Sequence, residues 1–191
     1  MPRWEPDARQ RLRTTALELF AEHGYENVSA EQIAAQAGLT RRTFFRHFSD
    51  KRDVLFAGSE QLPGVVADAI RTAPGELDPA DAARAGLLAV ATRLEELLEP
   101  SPTRLAVIAS SPELQERESW KHEAVAEAIT VALRERRADD TDPVLLGRVW
   151  SAVLRTAFER WVQQPGAGSL ADRVQQVSAQ LSTLWPESAT R

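Results

Sequence analysis

The fold is decided by residues 29–48, SAEQIAAQAGLTRRTFFRHF, which predict two short helices joined by a tight turn. Ser29 can cap the first helix through its hydroxyl, and Gln32 three positions later completes a capping box. Gly38 stands where the chain must leave that helix, because glycine adopts the left-handed conformation without a side-chain clash. Thr40 can then cap the second helix. The pattern is typical of a helix-turn-helix.

The second of these helices carries a positive surface. Arg41, Arg42 and Thr43 fall in its first turn, where side chains and backbone N–H groups can face phosphates and base edges. Residues 41–52 hold five Lys or Arg against the single carboxylate of Asp50. A local excess of positive charge displaces counterions from DNA, so the segment is predicted to bind DNA.

A recurrent set of residues extends this pattern over residues 9–55, roughly a quarter of the chain. The set is Ala16, Leu19, Phe20, Gly24, Tyr25, Ile33, Ala34, Ala37, Gly38, Leu39, Thr40, Thr43, His47, Phe48, Lys51, Val54 and Leu55. With it the segment resembles the DNA-binding domain of TetR-family (tetracycline-repressor-like) regulators. Two positions depart from the family. Arg42 stands where glycine is common and adds a cation, and Phe45 stands where a tyrosine hydroxyl commonly touches a phosphate.

The resemblance implies which residues contact DNA. Those expected nearest the bases are Thr40, Arg41, Arg42 and Thr43, and those expected nearest the DNA backbone are Ser29, Phe45, His47 and Lys51. An arginine can bind O6 and N7 of guanine with two hydrogen bonds, so we expect Arg41 or Arg42 to read a guanine.

Composition agrees with an intracellular regulator. The 191 residues carry a net charge of -5 and no cysteine, which excludes disulfides and thiolate metal sites and favours a reducing cytoplasm. No stretch approaches the roughly 18 apolar residues of a membrane span, and the first ten residues lack the apolar run of a signal peptide. Residues 1–55 hold nine Lys or Arg against eight Asp or Glu, so most of the acidic excess lies elsewhere.

Catalytic and metal-binding patterns are weak throughout. The histidines, His23, His47 and His122, lie far apart, and His122-Glu123 lacks the second histidine of a zinc-protease helix. Residues 166–168, Gly-Ala-Gly, begin a phosphate-loop pattern but lack its third glycine and its lysine-serine pair. We therefore predict neither an enzyme nor a cofactor or metal site.

Helical periodicity continues almost to the end of the chain and predicts an all-α protein of about nine helices. We expect a three-helix DNA-binding domain at residues 1–50 and an effector-binding and dimerisation domain at residues 51–191. A fourth helix should start near Asp50 and bend at residues 63–64, Pro-Gly. A later long helix should run from about residue 119 to 137.

The last two helices carry broad apolar stripes at about residues 143–162 and 170–184, and the second stripe repeats at heptad-like spacing. From the pattern alone, the stripes fit either the core of the single chain or a contact between two chains. The resemblance implies the latter, since TetR-like proteins pair through their final helices, and it implies a palindromic operator. The predicted dimer interface is Trp150, Leu154, Trp161, Leu170, Val174, Val177 and Leu181.

The middle helices imply, again by resemblance, a pocket whose small-molecule effector moves the fourth helix and spreads the two DNA-binding heads. Ordinary core packing explains the same apolar residues. The predicted lining is Leu87, Val90, Leu94, Ile108, Trp120, Ile129, Val153 and Phe158, with Arg104, Arg117, His122 and Arg155 as candidates for a polar end.

A looser resemblance concerns the branch of the family. The segment RRTFFRHF and the later pattern from Arg104 to Trp161 look like the branch with mycofactocin-type and fatty-acyl-CoA-responsive regulators. This resemblance implies a hydrophobic or acyl-CoA-like effector.

The alternative is an all-helical small-molecule-binding or protein-interaction module that does not recognise a specific operator. The absent phenol at Phe45 is the feature that favours it.

Overall fold

The fold is seen in a computed structural model that describes residues 7–136 and 142–184. Those residues form ten α-helices and two short 3-10 helices and no strand, so the predicted all-α class is confirmed. The predicted domains also include residues 1–6, 137–141 and 185–191, which lie outside the described residues. The polar residues 138–142 are predicted from the sequence to form a loop, and all of them except residue 142 fall within 137–141.

The helices follow one another in a simple order. They are α1 Asp7–His23, α2 Ala30–Gln36, α3 Arg41–His47, α4 Asp53–Phe56, α5 Leu62–Thr72, α6 Pro79–Leu97, α7 Pro102–Ser110, α8 Pro112–Glu135, α9 Pro143–Gln163 and α10 Leu170–Leu184. The 3-10 helices are Tyr25–Asn27 and Ser59–Gln61. Asp78 and Asp142 cap α6 and α9, each followed by a proline in the first turn, where its missing N–H costs no hydrogen bond.

Two predicted helices begin or break elsewhere. The fourth does not bend at residues 63–64: α4 ends at Phe56, Gly58 has a positive φ of 92°, and α5 starts at Leu62 with Pro63 in its first turn. Proline fits the first turn of a helix better than its interior, so Pro63 lies in the first turn of α5 and does not bend a longer helix. For the same reason α8 begins at Pro112 and not near residue 119.

The chain divides into two compact units. The first contains residues up to Ser59 together with Pro102–Glu118 and thus extends past the boundary expected at residue 50. Its α1 packs on α7, and α2 on α3. The core side chains of this unit include Leu12, Ala16, Phe20, Ile33, Phe44, Phe48, Val54, Leu55, Val107, Ile108 and Leu114.

The second unit contains Glu60–Ser101 and the residues from Ser119 on. Its α5 packs on α6, while α10 packs on both α9 and α6. Gly147 allows α9 to approach α8 closely, since a Cβ there would lie 2.5 Å from the carbonyl oxygen of Ala126 and closer still to the hydroxyl of Thr130. Among the described helices, none combines the length and apolar character needed to cross a lipid bilayer.

We predict that Gly147→Ala lowers the free energy of unfolding by about 1–3 kcal/mol, because the added methyl group meets backbone that cannot rotate away. Gly64→Ala is the matched control. Its Cβ would meet nothing within 4 Å, so removing a helical glycine should stabilise the protein by about 0.5–1 kcal/mol. Urea unfolding at one protein concentration measures both. Equal effects of the two substitutions would contradict the close approach.

Candidate nucleic-acid interface

Both predicted helix caps are present around the helix-turn-helix. The Ser29 hydroxyl accepts a hydrogen bond from the Gln32 amide at 3.2 Å, and the Gln32 side chain accepts one from the Ser29 amide at 2.8 Å. Thr40 accepts a hydrogen bond from the amide of Thr43 at 3.1 Å, and their hydroxyls lie 3.0 Å apart. These bonds fix where α2 and α3 begin.

The turn between α2 and α3 is held from both sides. Gly38 has a φ of 68°, and the amide of Leu39 donates to the carbonyl of Ala34 at 2.8 Å. Arg11 of α1 donates to the carbonyl of Ala37 through its guanidinium. The angle between the two helices is therefore set by backbone hydrogen bonds and by one side chain of α1.

Helix α3 has one buried face and one exposed face. Phe44 and Phe48, four positions apart in the sequence and so on one side of the helix, are buried with ring centroids 5.6 Å apart. The exposed face consists of Arg41, Arg42, Phe45 and Arg46. Phe45 keeps 44% of its surface exposed, which is unusual for a large apolar side chain. We call these four residues the recognition face.

The two arginines at the start of α3 differ in their surroundings. The Nε of Arg41 lies 2.8 Å from a carboxylate oxygen of Glu31 on α2, and its guanidinium carbon lies 5.4 Å from the centre of the Phe45 ring. Arg42 is exposed and has no ion-pair partner among the described residues. One arginine is thus held in place, and the other extends into solvent.

Two cations of the predicted positive patch are engaged by their own unit. Lys51 donates through Nζ to the carbonyl of Tyr25 at 2.8 Å and lies 4.2 Å from the centre of that ring. Arg52 lies 2.7 Å from the carboxylates of both Asp50 and Glu113. The phosphate contact predicted for Lys51 would have to compete with these carbonyl and ring contacts. Nothing in the sequence indicates them, because Tyr25 lies 26 positions away.

His47 is partly exposed at the end of α3. Partial burial lowers its pKa, and the nearby charges of Arg46 and Arg9 lower it further. Both effects favour the neutral imidazole over the charged form.

Arg104, predicted as a polar end of the effector pocket, lies instead in the interior of the first unit. It donates through Nε to the carbonyl of Leu55 at 2.9 Å, and its Nη2 lies 3.6 Å from Glu118. Burial lowers its pKa, and the Glu118 carboxylate acts in the opposite direction. The last carbonyls of a helix have no partner within the helix, so the carbonyl of Leu55 near the end of α4 can accept this bond. Arg104 thereby connects α7 to the end of α4.

The predicted pocket residues do not all come together. Six of them are buried in the second unit: Leu87, Val90, Leu94, Ile129, Val153 and Phe158. Ile108 packs in the core of the first unit, and Trp120 is 72% exposed on α8, while the lining of a pocket by these eight residues stays a prediction. Periodicity identifies a helical face but not the element that covers it.

The second unit also has an open groove between α8 and α9, with a volume of about 240 Å³. Six polar or charged residues and two alanines line it: Ser119, His122, Glu123, Ala126, Arg148, Ser151, Ala152 and Arg155. His122 and Arg155 were candidates for a polar end, and the structure brings them together. The other six were missed, because small and charged residues on exposed helical faces give no distinctive sequence signal. Among the described residues, no cluster of side chains could hold a metal ion.

The side chains predicted to join two chains point into their own chain. Trp150, Leu154, Trp161, Leu170, Val174 and Val177 are all buried, and Leu181 is half-buried. The packing of α10 on α9 and α6 accounts for this burial. In the single chain the buried side chains among them leave little surface for a partner, so their assignment to the dimer interface stays a prediction.

Comparison with known protein families gives two matches that together cover most of the chain. Residues 12–57 match the family of bacterial regulatory proteins called the tetR family, and residues 77–186 match the MftR C-terminal domain. The second match alone covers more than half of the chain.

Relatives and solved structures agree with these matches. The mycofactocin biosynthesis transcriptional regulator MftR of Mycobacterium tuberculosis is 29% identical over 155 residues, covering 80% of this chain and 78% of that protein. TcmR, a helix-turn-helix transcriptional regulator of Streptomyces glaucescens, is 28% identical over 169 residues, covering 80% and 72%. SmeT, the repressor of a Stenotrophomonas maltophilia efflux pump, solved with triclosan, superposes with a TM-score of 0.63 at 18% identity, covering 95% and 93%. The likeness to SmeT establishes the fold.

The contacts of Lys51 predict a stabilising role. We expect Lys51→Ala to lower the free energy of unfolding by about 1–2 kcal/mol, because the carbonyl of Tyr25 loses a charged donor. Arg42→Ala removes an exposed cation and should change stability by less than about 0.5 kcal/mol. Urea unfolding of the two variants makes the comparison, and equal stabilities would show that the Lys51 contacts contribute nothing.

Proposed function

The chain belongs to the TetR family of transcriptional regulators, with a C-terminal domain of the MftR type, and we propose that it is a homodimeric repressor that a small-molecule effector releases from a palindromic operator. The observation that carries the proposal is the recognition face, where three arginines and an exposed phenylalanine stand on a helix anchored by Phe44 and Phe48. Neither its relatives nor its fold are those of enzymes.

For DNA binding we propose that α3 enters the major groove. Arg41 and Arg42 contact base edges, with Thr40 and Thr43 beside them, and Arg46 contacts phosphate. Major-groove edges distinguish all four base pairs, and two hydrogen bonds from one arginine select guanine. Three exposed arginines on one short helix supply the counterion release that non-specific affinity requires.

For dimerisation we propose the outer surfaces of α9 and α10. The buried stripes of these helices fill the core of the chain, so the surface left for a partner consists of their exposed positions. Leu145 of α9 is 60% exposed, and Ala179 adds a small apolar side chain to the outer face of α10. Two-fold pairing of this surface would present two copies of α3 to successive turns of the major groove.

For the effector we propose an amphipathic molecule with an apolar body and an anionic end, bound by the second unit. Its apolar part would enter the apolar core of that unit, in which Leu87, Ile129 and Val153 are buried. Its anionic end would meet His122, Arg148 and Arg155 in the groove between α8 and α9. A hydrophobic or acyl-CoA-like compound has this chemistry, and triclosan in SmeT is an example of an apolar ligand bound by a protein of the same fold.

Selection of bound sequences from a random duplex pool at roughly physiological salt tests the proposal. A palindrome bound by two chains is the expected result. A folded dimer that enriches no sequence would favour an all-helical interaction or ligand-binding module. Release from the selected operator then provides a screen for effectors, starting with medium- and long-chain acyl-CoA compounds.

We predict that Arg42→Ala relaxes the selected operator at one base pair in each half-site. Loss of a bidentate contact to guanine costs about 1–3 kcal/mol of discrimination. Lys51→Ala should instead weaken binding to all sequences alike, because it removes a positive charge and the contacts with Tyr25 but no contact with a base. Titration of each variant against single-base operator variants separates the two patterns. Identical losses on every sequence would refute the assignment of Arg42 to a base.

We also predict that Ala179→Glu weakens dimerisation, because it buries a charge in the proposed contact. Ala124→Glu on the exposed surface of α8 adds the same charge elsewhere and serves as the control. Sedimentation analysis should show monomers for the first variant and dimers for the second. Affinity for the operator should fall when the dimer is lost, since a monomer can bind only one of the two half-sites. Dimers of equal stability in both variants would rule out this surface.

A further inference from the structure

Glu31 is an acidic residue placed beside the recognition face. It lies in the first turn of α2, half of its side chain is exposed, and its carboxylate approaches Arg41 from the neighbouring helix. A carboxylate near DNA repels phosphates, so it weakens binding to every sequence unless another of its contacts favours binding. Its contact with Arg41 suggests what that contribution is.

The contacts of Arg41 fix two features of its guanidinium. The close approach of the Glu31 carboxylate is to Nε, the nitrogen nearest the main chain, at 2.8 Å. The Phe45 ring, 5.4 Å from the guanidinium carbon, lies against the group from the same helix. The two outer nitrogens, which bind O6 and N7 of guanine, are at the far end of the group from the main chain.

We propose that Glu31 and Phe45 are positioning residues that hold the Arg41 guanidinium in the orientation in which it reads guanine. The proposal rests on the DNA binding proposed above. A long arginine side chain loses much conformational freedom when it binds, and a side chain that is already oriented loses less. The preorganised arginine therefore gains affinity for its own base pair and not for others.

The neighbouring Arg42 provides an internal comparison. It has no ion-pair partner among the described residues, so it must be ordered by DNA itself. Glu31 should consequently affect the base pair that Arg41 reads and leave the one read by Arg42 unchanged.

The same geometry gives a role to Phe45, which lacks the hydroxyl that a tyrosine would offer to a phosphate. An aromatic ring face attracts a guanidinium whether or not the ring carries a hydroxyl. The phenylalanine thus retains an orienting contact with Arg41 while it gives up the phosphate contact. Its exposure on the recognition face is then part of base reading.

The test compares Glu31→Ala, Glu31→Gln, Phe45→Leu and Arg41→Ala with the control Glu18→Gln, which removes a negative charge from the exposed face of α1. Affinities of the full-length dimer are measured for the selected operator, for operators changed at single base pairs and for a scrambled duplex. Thermal unfolding confirms that each variant is folded.

We expect Glu31→Ala to lower the preference for guanine about two- to fivefold, and only at the base pair that Arg41→Ala also relaxes. Its affinity for the scrambled duplex should rise, because a repulsive charge is gone. Phe45→Leu should lower the same preference without that rise, and Glu31→Gln, which keeps an acceptor oxygen, should retain part of it. In an Arg41→Ala background, Glu31→Ala should no longer change any base preference.

Two results would overturn the assignment, and they differ from failure of the proposed function. If Glu31→Ala shifts affinity equally at all base pairs, as Glu18→Gln should, Glu31 acts only through its charge. If its effect on base preference persists without Arg41, it acts through another residue. A wild-type protein that selects no operator would refute the proposed DNA recognition itself, and the positioning role with it.

Discussion

Burial of Phe44 and Phe48 is the constraint on which the helix-turn-helix of the first unit depends. Each buried aromatic side chain contributes about 1.5–3 kcal/mol, and these two hold the short helix α3, which has too few residues to be stable alone. Since α3 is a helix, fixing one face fixes the other. The buried phenylalanines thus set the direction in which the arginines of the recognition face point into solvent.

The polar contacts around α3 refine that placement. Arg11 holds the turn, Lys51 holds the short 3-10 helix after α1, and Arg104 holds the end of α4. Each cation binds backbone carbonyls distant in sequence, so part of the positive charge of the unit is structural. The exposed arginines of α3 are the ones that we propose to contact DNA, and Glu31 lies beside one of them, Arg41.

The second unit shows how one apolar pattern can serve two purposes. The seam along α10 has the spacing of an interchain coiled coil, yet Leu170 and Val174 are fully buried inside the single chain. A helix of a compact core and a helix of a bundle between chains need the same stripe, because both bury one side of a 3.6-residue repeat. The partner of the stripe is set by the packing of α6, which periodicity does not reveal.

The sequence by itself determined the all-α class, the helix-turn-helix with both caps and its glycine turn, the inward face of α3 and the family. These features depend on residues within a few positions of one another. Tertiary structure alone decided that Ile108 packs in the core of the first unit and that Trp120 is exposed. It also decided that Lys51 binds the carbonyl of Tyr25 and that Glu31 contacts Arg41. Those contacts join residues far apart along the chain, and only the packing of whole helices brings such residues together.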